Sequence, residues 1–314
     1  MIHYAQELYE QGKTYSEIAY EINEKYGFFP HIDAIRYHVK RKQQPKLSKQ
    51  AKLKNEGVTK TLVISDLHCP YNRQDIVDIV EKHKDEIDTL VIGGDVIDCY
   101  SISSFKPLDP PSLITEMISC HQLLKQIQDL TPNTKRILIR GNHEARFEKY
   151  LANNRNELSK LHSTNILREI VGGFDDNTDR QNGVVASYKP LDYDVHDEWF
   201  YNDKGVITCH PMTFSRVAGK TCQMSLDYFV ERGFEFDAIL VAHTHKIASC
   251  IKYGKYAYEI GALCLPQGYA ETGKLTYERM HNGYFLCVFK NGKYEPNLSK
   301  QYYLWFNITR YIQS

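Results

Sequence analysis

Five short motifs rich in Asp, Asn and His each follow an apolar run in this chain. They are Asp66-Leu67-His68, Gly94-Asp95-Val96-Ile97-Asp98, Gly141-Asn142-His143-Glu144, His210 and His243-Thr244-His245. A short apolar run bounded by polar residues is typical of a buried β-strand, and the polar residues that follow it lie at the rim of the sheet. Carboxylate, amide and imidazole groups all bind divalent metals. The recurrence therefore predicts a metal site built from several strand ends.

Two of the motifs place a pair of metal-binding side chains two residues apart. Side chains in a strand alternate with a period of two, so Asp66 and His68 are predicted to point the same way, as are His243 and His245. Each pair would form a two-ligand metal clamp. Cys69 beside the first pair is expected to be a small buried thiol, with a soft sulfur ligand as the alternative.

The two motifs that begin with glycine are expected to supply different groups. Asp95 and Asp98 lie three residues apart after a Gly-Gly turn, so one carboxylate can bridge two cations while the other orients a neighbouring group. Gly141 permits close approach of the backbone to a ligand, which lets Asn142 and His143 turn toward it. For this second motif alone, a plain strand-to-helix turn is the alternative.

The apolar periodicity places the motifs on an α/β framework. Strands are predicted at residues 60–65, 90–92 and 136–139, and helices at 72–86, from 109 to about 131 and twice within 145–170. This alternation is typical of α/β folds, in which ligands bind outside the carboxyl ends of the strands. Residues 172–202 show no periodicity, and they form either a lid that faces the substrate or an irregular surface excursion.

Taken in this order, the five motifs resemble those of the calcineurin-like metallophosphoesterase superfamily over residues 60 to about 268. The run from Gly141 to Tyr150 is similar to phosphoesterases often carried by bacteriophages and bacteria. The resemblance implies an α/β fold, the αββα sandwich of that superfamily, and a metal-dependent hydrolase of phosphate esters. The sequence departs from the family pattern at two places. Ala242 replaces the usual Gly before the last motif, and Cys99-Tyr100 replaces the Arg-Gly of protein phosphatases, which weakens that substrate assignment.

The resemblance also implies two divalent metal ions and seven ligands. The first ion would be held by Asp66, His68 and His245, the second by Asn142, His210 and His243, and both by Asp95. Mixed nitrogen and oxygen ligands favour manganese, with iron or zinc as alternatives, over pure magnesium or calcium sites. A hydroxide that bridges two ions about 3.5–4 Å apart would attack the phosphate ester.

Four further residues receive roles from the same resemblance. His143 would protonate the leaving oxygen, and Asp98 would orient that imidazole and raise its pKa. Arg140 and Arg146 are candidate phosphate contacts, although a surface ion pair is favoured for either one taken singly.

Residues 1–45 have the pattern of a small all-α module. Apolar stripes predict three short helices within residues 3–43, and Thr14 with Glu17 predicts a capping box at the second. The arrangement resembles a helix-turn-helix module, whose last helix enters the major groove of DNA. The alternative is a helical appendage that packs on the main domain or mediates self-association. We expect residues 46–59 to form a basic linker and 60–314 the phosphoesterase domain.

The net charge of zero hides a basic stretch, in which eight Lys or Arg and no acidic residue lie between Arg36 and Lys54. Such a block favours a polyanionic partner, and a solvated linker is the alternative. The basic residues expected to contact nucleic acid are Arg36, Lys40, Arg41 and Lys42.

The composition argues against several other classes of protein. Hydrophobic residues make up 42% and charged residues 25%, as in ordinary globular proteins. No run approaches the roughly 18 apolar residues of a membrane helix, and the first residues lack the layout of a signal peptide. Eight cysteines without a C-x-x-C pair favour reduced thiols over a disulfide framework. We therefore expect a cytoplasmic protein with no membrane partner.

Together these features predict a di-metal phosphodiesterase or nuclease that acts on nucleic acid. A phosphomonoesterase acting on proteins or small molecules is the first alternative. A DNA-binding or scaffold protein with a residual metal site is the second, although all seven ligand positions carry side chains able to bind metal.

Overall fold

The computed structural model of the chain describes residues 2–11, 13–26, 57–104, 110–153, 163–182, 184–266 and 280–304. Two compact units are distinguished by their internal contacts, Met1–Lys52 and Leu53–Ser314. The predicted three-part division at residues 45 and 59 stays a prediction, because residues 27–56 lie outside the described part of the chain.

The first unit contains two described helices, α1 (Ile2–Glu10) and α2 (Tyr15–Tyr26). Leu8, Ile18 and other apolar residues of the two helices form a small common core. The predicted capping box at α2 is confirmed, since the Thr14 backbone N–H donates to Glu17 Oε2 at 2.7 Å and the Glu17 N–H donates to Thr14 Oγ1 at 3.4 Å. The predicted third helix and the four basic residues expected to contact nucleic acid lie outside the described residues.

The second unit is built from strands and helices that alternate along the chain. Its described strands are β1 (Val58–Ile64), β2 (Thr89–Ile92), β3 (Lys135–Ile139), β4 (Phe174–Asp176), β5 (Ala186–Tyr188), β6 (Asp194–His196), β7 (Phe200–Asp203), β8 (Val206–Cys209), β9 (Ala238–Val241), β10 (Ile247–Lys252), β11 (Lys255–Ile260), β12 (Asn282–Lys290), β13 (Lys293–Tyr294) and β14 (Lys300–Leu304). Its described helices are α3 (Ile76–His83), α4 (Leu113–Leu130), α5 (Glu144–Asn153), α6 (Ile166–Gly172) and α7 (Lys220–Glu231), with a short 3-10 helix at Arg180–Asn182.

Two sheets carry the second unit. The first has the order β13-β12-β1-β2-β3-β6, with β14 also paired to β12. Within it, β1, β2, β3 and β6 run parallel, and β12 runs antiparallel to β1. The second sheet has the order β10-β11-β9-β8-β7, in which β8, β9 and β11 run parallel. Parallel strands in both sheets bring several carboxyl ends to one edge.

The sheets lie face to face, with a helical layer on each outer side. Side chains alternate along a strand, so Leu62 and Ile64 of β1 pack against α3, α4 and α6, whereas Val63 packs between the sheets against β8 and β9. On the other outer side, α7 packs its apolar face on β8 and β9. The predicted αββα sandwich is confirmed.

Residues 172–202, which have no periodicity in sequence, contain regular structure. β4 and β5 pair as a small antiparallel ribbon, β6 extends the first sheet beside β3, and β7 forms an edge of the second sheet. Each of these strands is only three or four residues long. That is too short for a periodic pattern to emerge, and the strands exist because neighbouring strands supply their hydrogen-bond partners.

Helix α7 provides a test of the packing that supports the second sheet. Phe229 is fully buried and its ring lies 5.3 Å from that of Trp199 and 5.1 Å from that of Phe200. We expect Phe229→Ala to lower the free energy of unfolding by about 3–5 kcal/mol, since it leaves a cavity. Met224→Ala on the exposed face of α7 is the control, with an expected change within about 0.5 kcal/mol. Urea denaturation followed by tryptophan fluorescence measures both, and equal effects would contradict this packing.

Candidate metal centre

All five motifs lie directly after parallel strands. Three follow β1, β2 and β3 in the first sheet, and two follow β8 and β9 in the second. The carboxyl ends of these strands meet at the same edge of the sandwich, where the seven side chains predicted as ligands come together.

Asp66, His68 and His245 form one group of potential ligands. Asp66 Oδ1 lies 3.3 Å from His245 Nε2, and the Nε2 atoms of His68 and His245 lie 3.1 Å apart. Asp66 and His68 are almost fully buried. Asp66 also accepts the backbone N–H of His243 at 3.1 Å, which ties the loops after β1 and β9 to each other.

Asn142, His210 and His243 form a second group. His210 Nε2 lies 2.9 Å from Asn142 Oδ1, and the rings of His210 and His243 are 5.1 Å apart. The Nδ1 atom of His210 faces the carbonyl oxygen of Gly93 at 2.9 Å. This contact orients the ring and leaves Nε2 turned toward Asn142.

Asp95 lies between the two groups. Its Oδ2 atom is 3.3 Å from His210 Nε2 and 3.7 Å from His68 Nε2. One carboxylate oxygen therefore faces a member of each group, which is the placement that a bridging ligand needs. The backbone N–H of His143 donates to the other oxygen, Oδ1, at 2.9 Å and fixes the carboxylate.

The chemistry of these donors fits divalent cations. With Nδ1 of His68 bonded to Asp98 and Nδ1 of His210 bonded to a carbonyl, each Nε2 presents a lone pair to other acceptors. Acceptors that converge at hydrogen-bond distance repel one another unless a cation lies among them. Ligand atoms of Asp95, His210 and His243 lie within 4.8 Å of one another, and so do those of His68, Asp95 and His143.

Ionisation in the centre follows from burial and from Asp95. Burial and the nearby His210 lower the pKa of His243 to about 3, which keeps its ring neutral and able to bind a cation. Burial also disfavours a charge on His210, but the Asp95 carboxylate outweighs it and raises the pKa of His210 to about 10. A divalent cation competes with that proton for Nε2, so metal binding at this group is expected to release protons.

Asp66 and His68 face the same group of potential ligands, as predicted, whereas His243 and His245 face different groups, so the second predicted clamp does not form. β1 ends at Ile64, and Asp66 and His68 both adopt left-handed backbone conformations, with φ of 54° and 51°. His243 and His245 do the same, with φ of 74° and 51°. Non-glycine residues rarely adopt such angles, and they cluster at functional sites. The period-two explanation is therefore wrong, and tight turns beyond the strands set the directions of these side chains.

Glu144 is a buried anchor whose role the sequence motif does not reveal. Its carboxylate accepts the backbone N–H groups of Val96 at 2.7 Å, Gly141 at 2.8 Å and Asp95 at 3.1 Å. It thereby holds the loops after β2 and β3 in register. Gly141 must be glycine, because a Cβ there would overlap Asp95. In the sequence, the signal for this role was the Glu that ends the Gly141-Asn142-His143-Glu144 motif.

Asp98 serves two histidines rather than one. Its Oδ1 atom lies 2.8 Å from Nδ1 of His143, as predicted, and 2.9 Å from Nδ1 of His68. Burial works against a proton on His143, but the Asp95 charge and the Asp98 hydrogen bond outweigh it and raise the pKa of His143. Asp98 thus orients one of the predicted ligands and the predicted proton donor together.

The two arginines predicted to contact phosphate differ in their surroundings. Arg146 donates one N–H to Nε2 of His143 at 2.8 Å and another to the carbonyl oxygen of Asp98 at 2.9 Å. Arg140 instead forms an ion pair with Glu148 at 2.7 Å. The structure thus brings Arg146 into contact with the predicted proton donor, whereas Arg140 makes the surface ion pair given as its alternative.

Cys69 is fully buried, in agreement with the small buried thiol favoured for it from the sequence. Among the described residues, Cys69 belongs to no cluster of potential metal ligands. Cys264 does, since its Sγ lies within 4.8 Å of ligand atoms of His68 and His245. It was missed because it follows β11, far from every motif in sequence.

No helix in the described part of the chain is long and apolar enough to cross a membrane.

Solved structures offer distant likenesses. An archaeal phosphodiesterase is 16% identical, with 78% of this chain and 100% of that chain covered and a TM-score of 0.38. A metallophosphoesterase from Sphaerobacter thermophilus is 11% identical, with 81% and 90% covered and a TM-score of 0.36. Vps29 from Entamoeba histolytica, complexed with zinc, is 11% identical, with 78% and 99% covered and a TM-score of 0.36. None of the curated proteins matches the sequence.

Because those TM-scores lie below 0.5, the assignment rests on the family model. A model described as calcineurin-like phosphoesterase matches residues 59–247, which make up more than half of the chain and include all five motifs. The His and Asp cluster at the sandwich edge agrees with the divalent metals that this family fold implies. The chain therefore belongs to the calcineurin-like phosphoesterase family of metal-dependent hydrolases, as its motifs predict.

Proposed function

We propose that this chain is a di-metal phosphodiesterase that acts on nucleic acid. The observation that carries the two-metal part is the position of Asp95 Oδ2 between the two groups of potential ligands. Asp66, His68 and His245 would hold one ion, Asn142, His210 and His243 the other, and Asp95 both. When bound, such ions supply positive charge to phosphoryl oxygens and lower the pKa of water. Manganese is the first expectation, with iron and zinc as alternatives.

His143 and Arg146 are proposed to act on the substrate. His143 Nε2 would hand a proton to the leaving oxygen, with Asp98 holding the ring by its other nitrogen. The lone pair of His143 Nε2 can either accept the hydrogen bond from Arg146 or carry a proton, but it cannot do both at once. Arg146 must therefore turn to another acceptor when His143 is protonated, and a phosphate oxygen of the substrate is such an acceptor.

The nucleic-acid part of the proposal is supported by charge. The stretch from Arg36 to Lys54 carries eight basic residues and no acidic one, and it joins the helical unit to the phosphoesterase unit along the chain. Basic residues that neutralise phosphates add affinity for any nucleic acid. Arg36, Lys40, Arg41 and Lys42 are proposed to bind phosphates in this way.

Substitution of the bridging carboxylate tests the metal part of the proposal. Asp95→Asn removes the charge shared by both groups, so we expect metal content to fall and hydrolysis of bis-p-nitrophenyl phosphate to drop by more than about 100-fold. Loss of an outer partner alone costs about 10–100-fold in metal affinity or activity. Asp129→Asn, at an exposed position on α4, is the control. Full activity of Asp95→Asn with manganese would rule out this site.

The role of His143 predicts a dependence on the leaving group. His143→Asn should slow hydrolysis of a dinucleotide by about 100- to 10,000-fold, the usual contribution of general acid catalysis. The loss should be much smaller for bis-p-nitrophenyl phosphate, because p-nitrophenolate leaves without a proton. Equal losses on both substrates, with metal content retained, would show that His143 does not donate the proton.

The basic residues predict how DNA binding responds to salt. A variant with Gln in place of Arg36, Lys40, Arg41 and Lys42 should bind DNA more weakly. The slope of the logarithm of the binding constant against the logarithm of the salt concentration should become shallower by about 0.9 for each phosphate that is no longer neutralised. The matched control replaces four exposed lysines of the second unit, Lys204, Lys290, Lys293 and Lys300, by Gln. An unchanged slope in the first variant would mean that these residues do not bind nucleic acid.

A substrate panel separates the proposal from its main alternative. Monoesters, diesters, cyclic nucleotides and single- and double-stranded DNA are compared with the same manganese-loaded protein. Faster turnover of p-nitrophenyl phosphate than of the diester, without nuclease activity, would make the protein a phosphomonoesterase.

A further inference from the structure

The loop between His210 and helix α7 exposes large apolar side chains beside the metal centre. Met212 is 46% exposed, Phe214 47% and Val217 68%. Large apolar side chains that remain exposed next to a polar, buried centre are a common feature of ligand-binding surfaces. Phe214 is the one that contacts the centre.

The ring of Phe214 stands against a predicted metal ligand. Its centroid lies 4.9 Å from that of His243, with an angle of 80° between the ring planes. In this edge-to-face arrangement one ring is supported by the other. About half of the phenylalanine surface stays open to solvent, so a further flat group can pack on it.

Hydrogen bonds hold the three residues that directly follow Phe214. The Ser215 N–H donates to Thr221 Oγ1 of α7 at 2.9 Å, and the Val217 N–H donates to Ser215 Oγ at 3.2 Å. The buried Lys246, which directly follows the His243-Thr244-His245 motif, donates through Nζ to the carbonyl oxygen of Arg216. These bonds hold Phe214 at a defined place relative to the metal centre, as a preorganised contact requires.

We propose that Phe214 is a stacking platform for the nucleobase attached to the scissile phosphate, on the side of Asn142, His210 and His243. The inference rests on the proposed function and names its substrate class, a phosphodiester with a base next to the bond that breaks. Aromatic side chains bind bases by stacking in proteins that accept many sequences. Phe214 offers no hydrogen bond, so it selects for a flat base without selecting which base.

The experiment compares two substrates that differ only in the base-bearing group. One is the p-nitrophenyl ester of thymidine 5′-phosphate, and the other is methyl p-nitrophenyl phosphate. In Phe214→Ala the ratio of kcat/KM for the nucleotide ester to kcat/KM for the methyl ester should fall about tenfold, mostly through KM, as expected when one base is no longer stacked. Phe214→Trp should restore the ratio. Val217→Ala, at an exposed position of the same loop, is the control and should keep it.

Two outcomes overturn the platform. One is an unchanged ratio in Phe214→Ala, and the other is an equal loss of kcat/KM on p-nitrophenyl octyl phosphate, which would show a general apolar contact in place of base stacking.

Thymidine 5′-phosphate binding, measured by calorimetry on the manganese-loaded protein, separates the two proposals. If the protein hydrolyses neither diester, the proposed function fails. In that case a tenfold weaker affinity in Phe214→Ala still supports the platform, and an unchanged affinity overturns it.

Discussion

The buried carboxylate of Asp95 is the constraint on which the rest of this structure depends. It is 1% exposed, and a buried charge is tolerated only where hydrogen bonds and opposite charges compensate it. The His143 N–H at 2.9 Å and the ring of His210, whose Nε2 lies 3.3 Å from Asp95 Oδ2, provide part of that compensation. A cation shared by the same side chains would provide it more completely, which is why the acceptors converge here.

The surrounding backbone is arranged to keep these groups in place. Left-handed conformations at Asp66, His68, Asp95, His243 and His245 turn the chain sharply at three rims. Such conformations cost of order 1–3 kcal/mol each and persist only when their surroundings determine them. Glu144 is one such determinant, because it binds four backbone N–H groups from two loops. Two packed sheets with buried strands provide the rigid support for all of them.

Proton placement links this framework to hydrolysis. Asp98 holds a predicted ligand, His68, and the predicted proton donor, His143, through the same oxygen, so a shift of one ring is felt by the other. Arg146 donates an N–H to Nε2 of His143, the atom proposed to protonate the leaving oxygen. Under the proposed function, substrate binding and protonation of His143 would therefore be coupled through the lone pair of Nε2. Phe214 borders the same region on the side of His243.

The sequence by itself determined the donor groups, their positions after strands, and the fold class, because apolar periodicity and motif order are local properties of the chain. Only the tertiary structure decided which groups meet. No local pattern specifies that Asp98 contacts both His68 and His143, or that Glu144 anchors two loops. The same holds for the different surroundings of Arg140 and Arg146 and for the position of Cys264 beside His68 and His245. The strands β4 to β7 were missed for the same reason, since each is too short to show a period and depends on partners elsewhere. The spacing of two residues found the ligand pairs but not their directions, since left-handed turns bring Asp66 and His68 to one group and send His243 and His245 to different groups. Strand periodicity does not encode such backbone angles.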